Sequence, residues 1–99
     1  MQAAQRILYA ISPEGIGQEL VICAGMPVEI PEMGWGSKVS MGFITPDPMI
    51  YGMDAWQAIG EAMRFIATRI GHYEDEGWKF FWEMDGERIF AADLYCGHL

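Results

Sequence analysis

Residues 54–73 most constrain the fold of this chain, because they carry the pattern of one long amphipathic helix among segments that resemble strands. Asp54 is a suitable N-cap, and Gln57 three residues later completes the pattern of a capping box. Apolar side chains then recur at alternating spacings of three and four, which predicts one buried stripe. The stripe comprises Trp56, Ile59, Met63, Ile66, Ile70 and Tyr73. We therefore predict a helix that packs this stripe against the core.

The predicted helix has two unusual positions, one in its interior and one at its end. Gly60 lies in the interior, where glycine costs about 1 kcal/mol relative to alanine, so we interpret it as a position of close packing. The acidic residues 74–76 follow the stripe, and negative charge is unfavourable at the C-terminal end of a helix. We predict that the helix ends near His72 or Tyr73 and that the acidic triplet forms an exposed turn.

Two strands are predicted at the start of the chain. Residues 5–11 have strand propensity, and the proline and glycines within residues 12–17 favour a reversal into a second strand at residues 19–24. Pro27 interrupts this second apolar run before it resumes at residues 28–30. Because proline cannot donate to a sheet, a bulge or a strand end is expected at Pro27.

A third strand is predicted shortly before the helix. Residues 31–36 have the composition of a loop, whereas residues 38–44 alternate between apolar and small or polar side chains, the period of a half-buried strand. Pro46 and Pro48 end this strand, because two prolines cannot continue a ladder of hydrogen bonds. Residues 49–52 are then predicted to be a connection to the helix.

The segment after the helix predicts a second hairpin. Residues 78–84 alternate as a strand, Asp85 and Gly86 form a favoured turn pair, and residues 88–92 supply the returning strand. The predicted fold class is α+β, with an antiparallel sheet of about five strands in the order β-β-β-α-β-β and one long helix packed on one face.

The composition indicates a single folded domain over residues 1–99. Hydrophobic residues make up 52% of the chain and aromatic residues 13%, which excludes intrinsic disorder. No apolar run approaches the roughly 18 residues that a membrane span requires, and no secretory signal is apparent. The two cysteines do not form a disulfide framework, and Cys23 is expected to be a small buried residue. We expect a cytoplasmic location in a bacterial cell.

The charge balance limits the partners that the protein can have. Fourteen acidic residues against six basic ones give a formal net charge of −8, which argues against direct binding of nucleic acid. The same charge speeds encounters with positively charged protein surfaces and also keeps a small protein soluble. The expected partner is therefore a larger protein or nucleoprotein complex with a basic surface, not nucleic acid itself and not a membrane.

The sequence offers little for catalysis, metal binding or cofactor binding. His72 and His98 have no nucleophile at a meaningful spacing, and Cys96 with His98 supplies at most half of a zinc site. The glycines within residues 15–17 lack the further glycine and following helix of a dinucleotide loop. We expect a protein that is not an enzyme and that has no cofactor and no metal.

Acidic and aromatic residues are the best candidates for contact with a partner. Acidic residues near the turns would form one negative patch if the second hairpin folds back beside the helix end, and aromatic residues beyond the capacity of one small core are candidate anchors. The candidates are Glu74, Asp75, Glu76, Asp85, Glu87, Trp35, Tyr51 and Phe81. The alternative is a solvated acidic surface that only aids solubility.

The segment from Gly52 to Ala58, continuing to Ala62, resembles the start of the helix in a family of small uncharacterised bacterial domains. That family has a β-rich half, one long helix and a short terminal strand, and the likeness extends loosely over residues 5–94. The resemblance implies a fold and no activity. By size, acidity and lack of a catalytic motif, the chain is also similar in type to phage-encoded anti-CRISPR proteins and to toxin-immunity proteins.

Two functional hypotheses follow from the sequence. The first is a small acidic protein–protein interaction module that acts as an inhibitor by covering a basic, nucleic-acid-binding or catalytic surface of a larger protein. The second is a non-catalytic domain that forms a homodimer, or a subunit of a bacterial assembly, through an uncovered sheet face or an edge strand.

Overall fold

The computed structural model describes residues 2–42 and 47–94 of the chain. Its elements, in chain order, are β1 (Gln2–Ile11), β2 (Gly17–Gly25), β3 (Val28–Ile30), β4 (Gly34–Ser40), β5 (Met49–Gly52), α1 (Ala55–Asp75), β6 (Lys79–Phe81), β7 (Arg88–Ile89) and the 3₁₀ helix η1 (Ala91–Leu94). All strand pairs are antiparallel and α1 packs on the sheet, which confirms the predicted α+β class. The sheet has seven strands and not about five.

The sheet is arranged around β4, which has neighbours along both edges. Gly36 of β4 is opposite Val28 of β3 on one side and opposite Tyr51 of β5 on the other. Further along β4, Val39 is opposite Ala24 of β2, while its N–H donates to the Pro48 carbonyl at 2.9 Å on the β5 side. β2 and β3 therefore follow the same edge of β4. The sheet continues from β2 through β1 and β6 to β7.

The break between β2 and β3 confirms the predicted irregularity at Pro27. β2 ends at Gly25 and β3 resumes at Val28, and the register against β4 changes by one residue across this break. The Ser37 hydroxyl, which is fully buried, donates to the Gly25 carbonyl at 2.8 Å. This side-chain hydrogen bond satisfies a buried backbone acceptor at the edge of the break.

The strand predictions around β4 were wrong in two respects. β4 begins at Gly34, inside the predicted loop, and β5 occupies the segment predicted to be a connection. Gly36 has no side chain that would mark it as a strand position in the sequence. In the fold, the Met49 and Ile30 side chains cover this position. β4 ends at Ser40, and residues 43–44 of the predicted strand lie outside the described residues.

The second hairpin forms as predicted but with shorter strands. β6 is three residues long and β7 two, with Phe80 opposite Ile89 and Phe81 opposite Arg88. The chain after β7 continues as η1, where the Asp93 carboxylate accepts the Phe90 N–H at 2.8 Å. That local hydrogen bond competes with strand pairing and explains why the predicted strand to residue 92 stops early.

The helix begins as predicted, and most of the predicted stripe faces the core: Ile66 and Ile70 are buried, and Met63 and Tyr73 pack against the core. Asp54 accepts the Gln57 N–H at 2.8 Å, and Gln57 in turn accepts the Met53 N–H at 2.6 Å. The fully buried side chains of α1 are Ala58, Ala62, Ile66, Ala67 and Ile70. Placing Trp56 in the core stripe was wrong, because this side chain is 89% exposed.

Small residues bring the start of the helix close to β5. A Cβ added to Gly52 would lie 2.5 Å from the Ala58 nitrogen, so the chain around Gly52 touches the helix backbone directly. At about 100° per residue, Trp56 lies about 160° around the helix axis from Ala58, so in this first turn it points away from β5. Ala67 and Ile70 lie within about 40° of Trp56 around the same axis and are buried, so the exposure of Trp56 belongs to the first turn of the helix. Close packing was also the wrong interpretation of Gly60, because a Cβ there would meet nothing within 4 Å.

The helix ends at Asp75, two residues beyond Tyr73, because glycine follows it in a left-handed conformation. Gly77 has φ +104°, its N–H donates to the Glu74 carbonyl, and the Trp78 N–H donates to the Tyr73 carbonyl, both at 3.0 Å. These two hydrogen bonds define a Schellman motif, and the edge-on contact of the Tyr73 and Trp78 rings supplies its usual apolar contact. The motif outweighs the unfavourable acidic charge at this end.

The core lies between α1 and the helix-covered face of the sheet. Its largest fully buried side chains include Leu8, Leu20, Val39 and Phe80 of the sheet together with Ile70 of the helix. Cys23 is a buried free thiol, which confirms the expectation for that residue.

We predict opposite effects for two glycine-to-alanine substitutions in and beside the helix. Gly52→Ala should lower the free energy of unfolding by about 1–3 kcal/mol, because the new methyl group would clash with the α1 backbone. Gly60→Ala should raise it by up to about 1 kcal/mol, because the added methyl meets open space and alanine favours the helix. Urea denaturation followed by circular dichroism measures both, and equal effects would contradict the assigned helix packing.

Candidate interaction surfaces

The three aromatic candidates do not lie together. Trp35 is half-buried and has the same orientation in β4 as Ser37 and Val39, which the helix covers. Tyr51 and Phe81 lie on the opposite face of the sheet, Tyr51 in β5 and Phe81 in β6. Four strand spacings separate β5 from β6, about 19 Å. A single binding pocket on a partner therefore cannot contact all three aromatic side chains.

Glu74 differs from its acidic neighbours, because its carboxylate is turned towards η1. One carboxylate oxygen accepts the Ala91 N–H at 3.2 Å, and the other is buried without a hydrogen-bond partner among the described residues. Asp75 and Glu76 are exposed. Glu74 therefore holds the helix end to η1, whereas Asp75 and Glu76 are free to face a partner.

The exposed acidic candidates form two groups that lie at different positions along the strand direction of the sheet. Asp75 and Glu76 precede Gly77, whose added Cβ would lie 3.4 Å from Pro13 beyond the end of β1. Asp85 and Glu87 are exposed in the turn that follows Trp82, and the Arg6 guanidinium lies 4.2 Å from the Trp82 ring centre. Arg6 and the end of β1 at Ile11 are five residues apart, roughly 17 Å. The structure does not gather these residues into one patch.

The first turns of α1 carry an exposed apolar surface that the sequence reasoning missed. Trp56 is 89% exposed and Met53 is 85% exposed. We name the shallow depression around them the Trp56 surface, which comprises Met53, Asp54, Trp56, Gln57, Gly60 and Glu61. The helical periodicity gave no signal of this exposure, since Ala67 and Ile70 lie on the same side of the helix as Trp56 and are buried.

A second apolar surface covers the sheet face that has no helix. Ile7 and Val21 are directly opposite each other in β1 and β2, and Val28 and Tyr51 flank Gly36. These four side chains are between 43% and 50% exposed. We name this region the uncovered face, and it extends across the sheet from β1 to β5.

The described residues contain no cluster suited to holding a metal ion. Within residues 2–42 and 47–94, no group of three or more histidine, cysteine, aspartate or glutamate side chains is arranged for this purpose. His72 is exposed on α1. Cys96 and His98 lie outside the described residues, so the expectation that they do not complete a metal site stays a prediction from the sequence.

Comparisons with known proteins leave the function to be argued from these surfaces. No family model, curated protein or solved structure matches the chain. The single α-helix in the described part of the chain does not combine the length and the apolar content needed to cross a membrane.

We predict that Glu74 is required for stability, whereas its neighbour Asp75 is not. Glu74→Ser should lower the free energy of unfolding by about 0.5–1.5 kcal/mol, because it removes the acceptor for the Ala91 N–H. Asp75→Ser should change it by less than about 0.5 kcal/mol, because the Asp75 side chain is exposed. Thermal and urea unfolding measure the pair, and a neutral Glu74→Ser variant would exclude the role in the helix end.

Proposed function

We propose that this chain is a small, non-catalytic interaction protein that inhibits a larger protein or nucleoprotein complex by covering a basic surface of it. This is the mode of action expected of anti-CRISPR and immunity proteins, to which the chain is similar in type. The observation that carries the proposal is the Trp56 surface, where an exposed aromatic side chain and two acidic residues line one depression.

The Trp56 surface has the composition of an interface anchor. Tryptophan is the residue type most enriched among binding hot spots, and burying its ring removes on the order of 150–250 Å² from water. Met53 beside it adds a flexible apolar side chain that adapts to a partner. Exposing both to water in a folded monomer is unfavourable, and contact with a partner relieves it.

The charge around Trp56 favours a basic partner. Asp54 and Glu61 are exposed and line the depression, and no lysine or arginine lines it. A partner with arginine or lysine around an apolar pocket would match both the aromatic anchor and its acidic surroundings. Such pockets occur where proteins bind nucleic acid, which is the kind of surface that an acidic inhibitor covers.

The remaining acidic residues support the proposal at longer range. Asp75, Glu76, Asp85 and Glu87 lie away from the helix start and are exposed. With a net charge of −8, they add to a field that steers the protein towards a positive surface without requiring direct contact. We therefore expect these acidic residues to raise the rate of association, and Trp56 to lengthen the lifetime of the complex.

We expect Trp56→Ala to weaken partner binding by at least about thirtyfold, because a central aromatic anchor contributes 2 kcal/mol or more. The partner is first identified by affinity capture from bacterial lysate, with elution over a rising salt series and mass spectrometry. Its affinity for the purified wild-type and variant proteins is then measured by isothermal titration calorimetry. Because Trp56 is almost fully exposed, the variant should keep its fold.

Ile16→Ala is the matched control, since Ile16 is a large exposed hydrophobic residue in the β1–β2 turn, which lies near the end of α1 and not near its start. It should leave the affinity unchanged, and wild-type binding should weaken as salt rises. Equal binding by the Trp56→Ala and wild-type proteins would contradict the assigned anchor. Salt-independent binding would contradict a basic partner.

Self-association is the second candidate function, and the uncovered face is the observation that favours it. Ile7, Val21, Val28 and Tyr51 leave half-exposed apolar side chains on one flat face of the sheet. Two copies meeting through this face would bury the apolar side chains against one another, as the sheets of a β-sandwich do. In this alternative the chain is a homodimeric domain or a subunit of an assembly.

We expect the double variant Ile7→Thr with Val21→Thr to abolish any self-association through the uncovered face. Threonine keeps the strand propensity of these positions but replaces apolar contact with hydroxyl groups. If this function holds, light scattering should show the wild-type mass rising towards twice 11.2 kDa with concentration, while the variant stays at 11.2 kDa. A wild-type protein that remains monomeric at high concentration would exclude it.

A further inference from the structure

A pocket of about 310 Å³ opens on the helix-covered side of the sheet. Ala4 opposite Ala24 and Arg6 opposite Ile22 form two cross-strand pairs along β1 and β2, and Met63 and Ile66 of α1 form the facing wall. Ala24, Ile22 and Ile66 are buried core residues, so the floor of the pocket is apolar. The pocket is open to solvent, so a ligand can reach this apolar floor.

Two opposite charges stand at the rim of this pocket. The Arg6 guanidinium stacks over the Trp82 ring at 4.2 Å from its centre, which orients the group and leaves its N–H edges able to donate. Asp93 accepts the Phe90 N–H through one carboxylate oxygen, which leaves the other oxygen able to accept. Both residues belong to the described part of the chain, and no ion pair joins them. The rim therefore offers one cation and one anion to a ligand.

We propose that this pocket binds a free apolar α-amino acid in its zwitterionic form. The ligand side chain lies against the apolar floor, the α-carboxylate accepts hydrogen bonds from Arg6, and the α-ammonium donates to Asp93. This site is separate from the Trp56 surface and does not depend on the function assigned to that surface.

The size and charge of the pocket select this class of ligand over others. A cavity of about 150 Å³ holds benzene, so the pocket has room for an aromatic or large aliphatic side chain together with its α-carbon. A simple anion would be opposed by Asp93 and by the net charge of −8, and a simple amine would leave Arg6 unused. A polar amino acid would place unsatisfied groups against the apolar floor.

The test compares three probes that share one phenyl ring and a similar chain: L-phenylalanine, 3-phenylpropanoate and 2-phenylethylamine. Each is titrated into the ¹⁵N-labelled 99-residue protein and followed by NMR chemical shifts. L-phenylalanine should bind about tenfold more tightly than either single-charge probe, because only it uses both rim charges. Its shifts should concentrate at residues 4–6, 22–24 and 63–66 and at the Trp82 indole.

Two variants and a matched control identify the site. Arg6→Gln should weaken L-phenylalanine binding about tenfold while leaving 2-phenylethylamine unchanged, because only the carboxylate contact is lost. Arg64→Gln makes the same change in net charge at an exposed position on α1 that does not line the pocket, and it should have no effect. Ala4→Phe should abolish binding of all three probes by filling the pocket, and circular dichroism checks that each variant is folded.

Three results would overturn the proposal. The first is equal affinity for the three probes, which would mean that the rim charges are not used. The second is an equal loss of L-phenylalanine affinity in Arg6→Gln and Arg64→Gln, which would mean that Arg6 acts only through the net charge of the protein. The third is an absence of shifts around the pocket at millimolar L-phenylalanine.

Discussion

The close approach of α1 to β5 is the contact on which the rest of this structure depends. Gly52 and Ala58 touch through backbone atoms, and Ala62 continues the same small surface along the helix. Because no large side chain separates the two elements here, the first turn of the helix lies directly against β5. Ile66 and Ile70 then meet the sheet core, and Trp56 is directed into solvent. One helix of this length covers one face of the sheet, so the other face stays open.

The opposite end of the helix is held by a different kind of interaction. The Schellman motif at Gly77 reverses the chain, and the Tyr73, Trp78 and Phe80 rings then stack in sequence from the helix end into the sheet. Glu74 adds a hydrogen bond to η1 on the same side. An acidic helix end is thus compatible with stability because backbone geometry and aromatic contact, not charge, determine where the helix stops.

Local chemistry was readable from the sequence, whereas packing was not. Asp54 and Gln57 predicted the helix start correctly because a capping box involves only neighbouring residues. Pro27 likewise predicted the break between strands correctly, because proline cannot donate a hydrogen bond to a sheet. Trp56 and Gly36 were misread, because the environment of each depends on distant residues, Gly52 in one case and Met49 with Ile30 in the other. Hydrophobicity and helical periodicity both assign Trp56 to the core, and only the fold shows that this side chain is exposed.

The same packing distinguishes the candidate surfaces. Glu74 was grouped with Asp75 and Glu76 by sequence, but η1 engages only Glu74, a contact between residues 17 apart that no local pattern contains. The pocket beside Arg6 also depends on three distant segments meeting, namely β1 with β2, the middle of α1, and the chain around Trp82 and Asp93. Sites built from single turns can be read from a sequence, whereas sites built between elements require the fold.

The strands at the two ends of the sheet are short, four residues in β5 and two in β7. Pro48 precedes β5, and the helix begins three residues after it, so these two strands offer no long row of unpaired backbone groups. The edge of β1 that faces β6 is different, because β6 pairs only with residues 9–11 and no strand of the described residues pairs with residues 2–8 there. An unpaired edge of this length is where a strand of another molecule adds to a sheet. In a chain with 52% hydrophobic residues, β1 is therefore the strand at which growth of a fibril by strand addition would begin.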